Sequence, residues 1–230
     1  MSPEIAAALA AARAEKRPVV LATRLPDGAQ RLLPDGAAPA ALAEWAEVLL
    51  RTDRSETRDL AGERWFLRPY NPPLRLILVG AVHIAQALVP LAQALGLDPV
   101  VVDPRLALAT EERFPASHRV TDWPDEALDA LGLDARSAVV VLTHDPKLDD
   151  PALDRALRSD AFYIGALGSR KSHAARLERL AALGHARESL ARIRGPVGLA
   201  IGAVTAAEIA LSIIAEIVAV LRAAPLGAGR

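Results

Sequence analysis

The chain of 230 residues contains no cysteine. Disulfides, thiolate nucleophiles and cysteine-ligated zinc or iron–sulfur clusters are therefore excluded. Aromatic residues make up only 3% of the chain, whereas hydrophobic residues together reach 52%, much of it alanine and leucine. This composition favours a helix-rich globular protein with small-residue packing, and it is not that of a disordered chain.

Charge and hydropathy argue against two further classes of protein. Lys and Arg number 27 against 28 Asp and Glu, with no basic run, so a nucleic-acid binder is not expected. Residues 1–18 lack the basic start and apolar core of a signal peptide. The most apolar stretch, residues 197–221, contains Glu208 and Glu216, which are costly inside a bilayer. We therefore expect a buried helix there, no membrane span and a cytoplasmic protein.

A change of pattern near residue 74 divides the chain. Residues 1–68 alternate Ala-rich helical segments with short strands and turns, which predicts a small N-terminal α+β domain. Residues 69–73 read Pro-Tyr-Asn-Pro-Pro, and proline at this density predicts an irregular linker. Residues 74–224 predict the main domain, and residues 225–230 a flexible tail.

The main domain alternates apolar strands with helices. Strands are predicted at residues 74–79, 99–102, 119–121, 138–142 and 161–164. Their near-continuous apolar runs are typical of strands buried on both faces, and the strand–helix order predicts parallel pairing with right-handed crossovers. The fold class is therefore α/β, a Rossmann-like doubly wound parallel sheet. Asp150 is predicted to cap the helix after the fourth strand, and Thr205 with Glu208 to form a capping box on the last helix.

The turn after the first of these strands has the position of a dinucleotide fingerprint. Such a fingerprint needs glycine at three places, where this turn has Gly80, Val82 and Ala85. Valine puts a branched side chain where a pyrophosphate would approach the backbone. The turn therefore predicts either a dinucleotide site that includes Gly80, or a Rossmann-shaped turn that no longer binds a dinucleotide.

Two charged residues follow the second strand. Asp103 lies roughly 20 residues after Gly80, which is the spacing of the acid that binds ribose hydroxyls. The alternative is a capping role before Pro104. Arg105 is suited to a phosphate, because a guanidinium offers charge-assisted paired hydrogen bonds.

Polar residues are dense after the fourth strand, at the edge where doubly wound sheets bind ligands. They include Thr143, His144, Asp145 and Asp149. His144 can act as an acid–base group, a metal ligand or a phosphate donor. Its pairing with Asp145 or Asp149 would make part of a metal site, although the spacing identifies no metal.

A second glycine-containing turn runs from Gly165 to Lys171. With Gly168 and Ser169 it opens a helix, so backbone N–H groups, the helix dipole and the cations Arg170 and Lys171 converge. This predicts an anion site suited to phosphate or pyrophosphate; the alternative is a capped helix with exposed basic residues.

Three further histidines and one further glycine-rich loop lie in the main domain. His118, His173 and His185 are expected on the surface, without a role. The glycine-rich loop of residues 195–202 is expected at the same edge of the sheet.

Together these motifs resemble the XdhC/CoxI family, the accessory factors of xanthine dehydrogenase and related molybdenum hydroxylases. The matching pieces are short, and they occur in the family's order. They lie at residues 102–105, 113–115, 142–145, 148–153, 163–170, 195–202, 207–210 and 215–217.

The resemblance implies a chaperone, not an enzyme with turnover. Such a protein binds molybdenum cofactor (molybdopterin, which carries a phosphate, or its dinucleotide form) and inserts it into an apo-hydroxylase such as xanthine dehydrogenase, aldehyde oxidoreductase or CO dehydrogenase. A cysteine desulfurase is a further implied partner. The last helix either pairs in a homodimer or belongs to the core. The expected cofactor contacts are Gly80, His83, Asp103, Arg105, Thr143, His144, Asp145, Asp149, Gly165, Gly168, Ser169, Arg170 and Lys171.

The chain departs from the family pattern at several positions. Val82 and Ala85 stand where the family has glycine, and Ala200 stands where it has aspartate. The N-terminal domain is short and lacks the family's cysteine. Two alternatives therefore stay open: an NAD(P)-dependent oxidoreductase that uses Asp103, or a scaffold that docks the hydroxylase or the desulfurase without binding cofactor.

Overall fold

The computed structural model describes residues 2–115 and 117–222, and the predicted tail at 225–230 lies outside them. The chain divides into two compact units, Met1–Pro72 and Pro73–Arg230. Among the helices described, none combines the length and the apolar character needed to cross a bilayer.

The first unit is a four-stranded antiparallel sheet with two helices, in the strand order β2-β1-β4-β3. Its elements are α1 (Pro3–Ala14), β1 (Val19–Arg24), β2 (Gln30–Leu33), α2 (Ala40–Thr52), β3 (Glu56–Leu60) and β4 (Glu63–Tyr70). The apolar face of α2, with Leu42, Trp45 and Leu49, packs with Leu33 and Leu67 of the sheet. This is the α+β arrangement that the sequence predicts for the N-terminal part.

The strand β4 is longer than the sequence predicts. Pro69 and Tyr70, which the pattern assigns to an irregular linker, pair instead with Val20 and Val19 of β1. The pairing of β3 with β4 ends at Leu67, so β4 has a partner on one side only at Pro69. Proline is tolerated in a sheet where a strand has such a free side.

The second unit is a six-stranded parallel sheet flanked by helices. Its elements are β5 (Leu74–Val79), α3 (His83–Ala94), β6 (Leu97–Val102), β7 (His118–Val120), α4 (Pro124–Leu131), β8 (Ser137–Val141), α5 (Pro146–Leu157), β9 (Tyr163–Ala166), α6 (Arg170–Ala182), α7 (Arg187–Leu190), β10 (Ile193–Arg194) and α8 (Ala206–Leu221). The short α7 and β10 are not indicated by the sequence pattern.

The strand order β7-β6-β5-β8-β9-β10 confirms the predicted doubly wound α/β fold. Leu76 and Leu78 of β5 pack in one buried cluster with α3 and α8, whereas Ile77 and Val79 pack in another with α4 and α5. Both faces of β5 are therefore covered, as its apolar run predicts. The chain reverses its winding between β5 and β8, so the carboxyl ends of these two strands flank the crevice where such folds bind ligands.

The helix α5 begins earlier than the sequence predicts. Pro146 is its first residue, and the Asp145 carboxylate accepts a hydrogen bond from the Lys147 N–H at 3.0 Å. The predicted cap at Asp150 is therefore wrong, because Asp149 and Asp150 already lie inside the helix. Asp145 and Pro146 have the same pattern, a cap followed by proline, five residues earlier. The helix begins at this earlier pair.

The predicted capping box of α8 is confirmed. Thr205 Oγ1 accepts from the Glu208 N–H at 3.2 Å, and the Glu208 carboxylate accepts from the Thr205 N–H at 2.8 Å. The helix buries Ile213, Ile214 and Ile217 in the cluster that also holds α3, so it contributes to the core of the second unit.

We expect Thr205→Ala to lower the free energy of unfolding by about 1 kcal/mol, because the Glu208 N–H loses its cap. Equilibrium unfolding in urea measures the change. Thr205→Ser keeps the capping oxygen and should remain near the wild type. A loss in the serine variant equal to that in the alanine variant would contradict the capping role.

Candidate ligand site at the reversal point of the sheet

A cleft of about 520 Å³ opens at the carboxyl ends of β5 and β8. It is lined by Val82, Arg105, Leu142, Thr143, His144, Asp145 and Pro146. These residues come from the loops after β5, β6 and β8, which the strand order places side by side. The structure thus brings together four residues that the sequence singles out, namely Arg105, Thr143, His144 and Asp145.

The turn after β5 keeps the shape of a Rossmann turn. Gly80 has a φ of 111°, and a Cβ at this position would lie 2.5 Å from Thr143 Cγ2. Both facts require glycine, since the conformation and the close approach exclude a side chain. Val82 lines the cleft in the place of the second fingerprint glycine, while Ala85 is fully buried and His83 is exposed at the first position of α3.

Asp103 holds the Arg105 side chain in place through hydrogen bonds. The fully buried carboxylate accepts hydrogen bonds from the Ala81 N–H at 2.7 Å and from Arg105 Nε and Nη2 at 2.8 and 2.7 Å. Burial opposes ionisation, but these hydrogen bonds outweigh it and hold the pKa of Asp103 below its usual value. The Arg105 side chain is 45% exposed, so its charged guanidinium, held by the hydrogen bonds to Asp103, faces the cleft.

Thr143 and Asp149 belong to a buried network. The Thr143 hydroxyl donates to Asp149 Oδ1, and Arg176 Nη2 donates to Asp149 Oδ2 at 3.2 Å and to the Leu167 carbonyl at 2.9 Å. Burial raises the pKa of Asp149, although the hydrogen bonds from Thr143 and Arg176 act in the opposite direction. Asp149 therefore faces the interior, while His144 is exposed beside the cleft.

Sequence reasoning missed Arg176. The only signal was its position four residues before the apolar Leu180 on α6, since these two are the buried residues of that helix. The two carboxylates predicted as partners of His144 are bonded elsewhere, since Asp145 caps α5 and Asp149 bonds to Thr143 and Arg176. Within residues 2–115 and 117–222, no three His, Asp or Glu side chains are grouped so as to hold a metal ion.

The predicted anion loop begins α6 beside the cleft. The Leu167 N–H donates to the Val141 carbonyl at 2.8 Å, so the loops after β8 and β9 are neighbours. Ser169 caps the helix by accepting from the Ser172 N–H at 3.2 Å, and Arg170 and Lys171 are exposed. The helix cap and the exposed cations are thus present together at this loop.

Gly168 has a φ of 140°, and a Cβ there would lie 2.5 Å from Ser172 Oγ. Gly165 differs, because it lies buried inside β9. A Cβ at Gly165 would meet Val197 Cγ2 at 2.5 Å and Tyr163 Cε1 at 2.9 Å. Gly165 is thus a packing position in the core, not a contact open to ligand.

Two of the three histidines expected on the surface are partly buried instead. His185 is bonded to Asp154 Oδ1 at 2.7 Å with its side chain almost fully covered. His173 packs against Gly195, where a Cβ would overlap the imidazole ring. Burial and the nearby Arg176 lower the pKa of His173. His118 is exposed as expected.

The loop after β10 is tied to α8 by a glutamate. Glu216 Oε2 accepts from the Tyr163 hydroxyl at 2.5 Å and from the Gly198 N–H at 3.0 Å. This explains why an acidic residue stands in the apolar stretch that ends the chain's main domain, because a buried carboxylate is retained where hydrogen bonds satisfy it.

A known family matches the second unit of the chain. The family model of the XdhC Rossmann domain matches residues 76–217. The molybdenum cofactor insertion chaperone PaoD of Escherichia coli is 36% identical over 151 residues, which is 66% of this chain and 41% of PaoD. A probable xanthine dehydrogenase component of Bacillus subtilis is 35% identical over 154 residues, 66% of this chain and 44% of that protein. The chain thus spans less than half the length of these two relatives.

A solved structure is similar over most of the chain. It is a xanthine dehydrogenase from Bacillus halodurans, with a TM-score of 0.73 and 25% sequence identity. The match covers 91% of this chain and 64% of that one.

Proposed function

Since the chain belongs to the XdhC Rossmann-domain family, we propose that it binds molybdenum cofactor as cargo and helps to insert it into a molybdenum enzyme. The relative PaoD carries the name of a molybdenum cofactor insertion chaperone, which supports this assignment. The observation that carries it on this chain is the cleft at the reversal point of the sheet, with Arg105 held in place by the buried Asp103.

The residues of the cleft suit a group that bears a phosphate. Arg105 offers a guanidinium in a fixed orientation, and a guanidinium is well matched to phosphate oxygens. On the neighbouring loop, Arg170 and Lys171 add positive charge at the N-terminus of α6, where backbone N–H groups also favour anions. In this proposal Arg105 and the α6 loop hold the phosphate, and the exposed His83 and His144 lie at the rim.

The same geometry favours the form of the cofactor without a nucleotide. Val82 occupies the place where a pyrophosphate would approach the β5 turn. Asp103 is fully buried and bonded to Ala81 and Arg105, so it has no exposed oxygen for ribose hydroxyls. The same two features give the NAD(P)-dependent alternative no support, and we propose that Asp103 positions Arg105.

The recipient we propose is the apo-form of a molybdenum hydroxylase in the cytoplasm, with a cysteine desulfurase as a second partner. A homodimer through α8 is not part of the proposal, because the apolar face of this helix is already packed within its own unit.

The test is binding and transfer of the cofactor by variants of the two cationic loops. Arg105→Ala and Arg170→Ala should each weaken binding about 10- to 100-fold, since a hydrogen bond to a charged group contributes about 1.5–3 kcal/mol. Molybdenum cofactor released from a purified hydroxylase is the probe; its retention is measured by pterin fluorescence and its transfer by activation of an apo-hydroxylase.

Arg187→Ala, an exposed arginine on α7, is the matched control and should behave as the wild type. Arg170→Ala leaves no buried partner behind, so a binding defect there does not reflect misfolding. Wild-type affinity in both Arg105→Ala and Arg170→Ala would overturn the phosphate assignment. No binding by the folded wild type would overturn the cofactor function and favour a docking scaffold.

A further inference from the structure

One hydrogen-bonded chain joins the loops after β8 and β9. Thr143, in the first loop, donates its hydroxyl to Asp149. Arg176 bonds to the other oxygen of Asp149 and to the Leu167 carbonyl in the second loop. The two loops of the proposed ligand site are therefore connected through buried side chains as well as through their paired strands.

The turn after β5 is in contact with the same chain. Because the Thr143 hydroxyl is directed to Asp149, its methyl group takes a fixed direction, and that methyl lies against Gly80. At the other end, a Cβ on Gly168 would lie 3.9 Å from Arg176 Nη2. Three loops, those after β5, β8 and β9, thus meet the network formed by Thr143, Asp149 and Arg176.

Stability alone does not account for this network. The Arg176 and Asp149 side chains are only 4% and 3% exposed. Burying such a pair removes both charges from water, and an apolar pair of similar volume often stabilises a protein as well or better. In addition, Arg176 Nε and Nη1 are buried and make no hydrogen bond in the part of the chain that the structure describes. Such unpaired donors are unfavourable for folding.

A second ion pair between the same two helices provides the contrast. Arg179 Nε lies 2.5 Å from Asp150 Oδ2, but the Arg179 side chain is 41% exposed. This pair is next to the network on both helices, and its two hydrogen bonds run between α5 and α6 alone. It links the two helices without organising the site.

From this contrast we infer that Asp149 and Arg176 are positioning residues, which hold the three loops in the arrangement that binds ligand. The inference rests on the proposed function for the identity of the ligand. Arg176 sets the separation of the Thr143 and Leu167 loops, and Asp149 sets the rotamer of Thr143. Neither side chain needs to touch the cofactor.

The test is the double variant Asp149→Asn/Arg176→Met, which removes both charges and leaves neither one alone. We expect its urea midpoint to remain close to that of the wild type, whereas molybdenum cofactor binding weakens about tenfold because the loops must now be ordered on binding. Amide hydrogen exchange at residues 143–145 and 167–169 should become faster at unchanged global stability. The matched control Asp150→Asn/Arg179→Met should alter neither the binding nor the exchange of these loops.

Wild-type binding and wild-type loop exchange in the first double variant would overturn the inference. If the wild type binds no cofactor, the proposed function fails, yet the exchange comparison still decides whether the network orders the loops. If the double variant does not fold, Thr143→Val replaces it. That variant replaces the hydroxyl with a methyl group and should speed exchange at residues 167–169, whereas Thr143→Ser keeps the hydroxyl and should leave exchange at these residues at the wild-type rate. Equal rates in Thr143→Val and wild type would overturn the role of the network.

Discussion

Arg176→Met alone is expected to lower the free energy of unfolding by about 3–5 kcal/mol, because it leaves the Asp149 carboxyl buried without its cation. This loss is larger than the loss expected for the double variant Asp149→Asn/Arg176→Met. The Thr143 hydroxyl would still donate to Asp149, but a neutral hydroxyl does not replace a guanidinium. Equilibrium unfolding in urea, followed by circular dichroism, measures the difference.

The size of this loss should depend on pH. Burial raises the pKa of Asp149 even in the presence of Arg176, and removal of the cation raises the pKa further. A carboxyl whose pKa is higher in the folded than in the unfolded state binds more protons when folded, so stability falls as pH rises between the two pKa values. The methionine variant should therefore be less stable, relative to the wild type, at about pH 8 than at about pH 5.

The ion pair of Arg179 and Asp150 supplies the control for this prediction. Arg179→Met removes a cation whose side chain is 41% exposed, so the change should stay below about 1 kcal/mol. Equal losses in the two arginine variants, or a loss in the Arg176 variant that does not grow with pH, would show that Asp149 does not depend on Arg176.

Much of the fold could be predicted because buried parallel strands have a simple pattern. The runs at residues 74–79 and 138–142 are apolar at nearly every position, and both are strands covered on two faces. The box of Thr205 and Glu208 is equally local. The order of the strands is not local, since it depends on the side to which each crossover returns.

The helix α5 shows how a local signal misleads when it occurs twice. Asp150 with Pro151 has the pattern of a cap followed by a first-turn proline, and so does Asp145 with Pro146. Sequence alone does not decide between them. The strand β8 ends at Val141, and the earlier pair is the first that the chain reaches after leaving the sheet.

The ligand site was predictable at the level of loops, not of side-chain roles. The sequence predicts for Asp103 either a ribose contact or a cap before Pro104, but spacing does not reveal that Arg105 turns back onto the same carboxylate. Gly165 belongs to a glycine motif, yet its neighbour in space is Val197, from another loop. Arg176 has the sequence context of an exposed helix position, and its burial follows from Asp149, a residue on a different helix.

Gly80→Ala is expected to be the other severe substitution, with a loss of about 2–5 kcal/mol. Two costs combine, since a φ of 111° is unfavourable for alanine and the new Cβ would lie 2.5 Å from Thr143 Cγ2. Gly96→Ala is the comparison without a steric contact. Gly96 has a φ of 75° with no atom within 4 Å of the added Cβ, so its loss of about 1 kcal/mol comes from a positive φ alone.

The steric cost of Gly80→Ala can be relieved from the other side of the contact. Thr143→Ser removes the clashing methyl group and keeps the hydroxyl that donates to Asp149. The double variant Gly80→Ala/Thr143→Ser should therefore be more stable than the sum of the single losses implies, by about 1 kcal/mol or more. Additive losses, or equal losses for Gly80→Ala and Gly96→Ala, would mean that the β5 turn does not rest on Thr143. If the coupling is found, the loops after β5 and β8 are held together by this methyl contact, and the cleft between them depends on the absence of a side chain at Gly80.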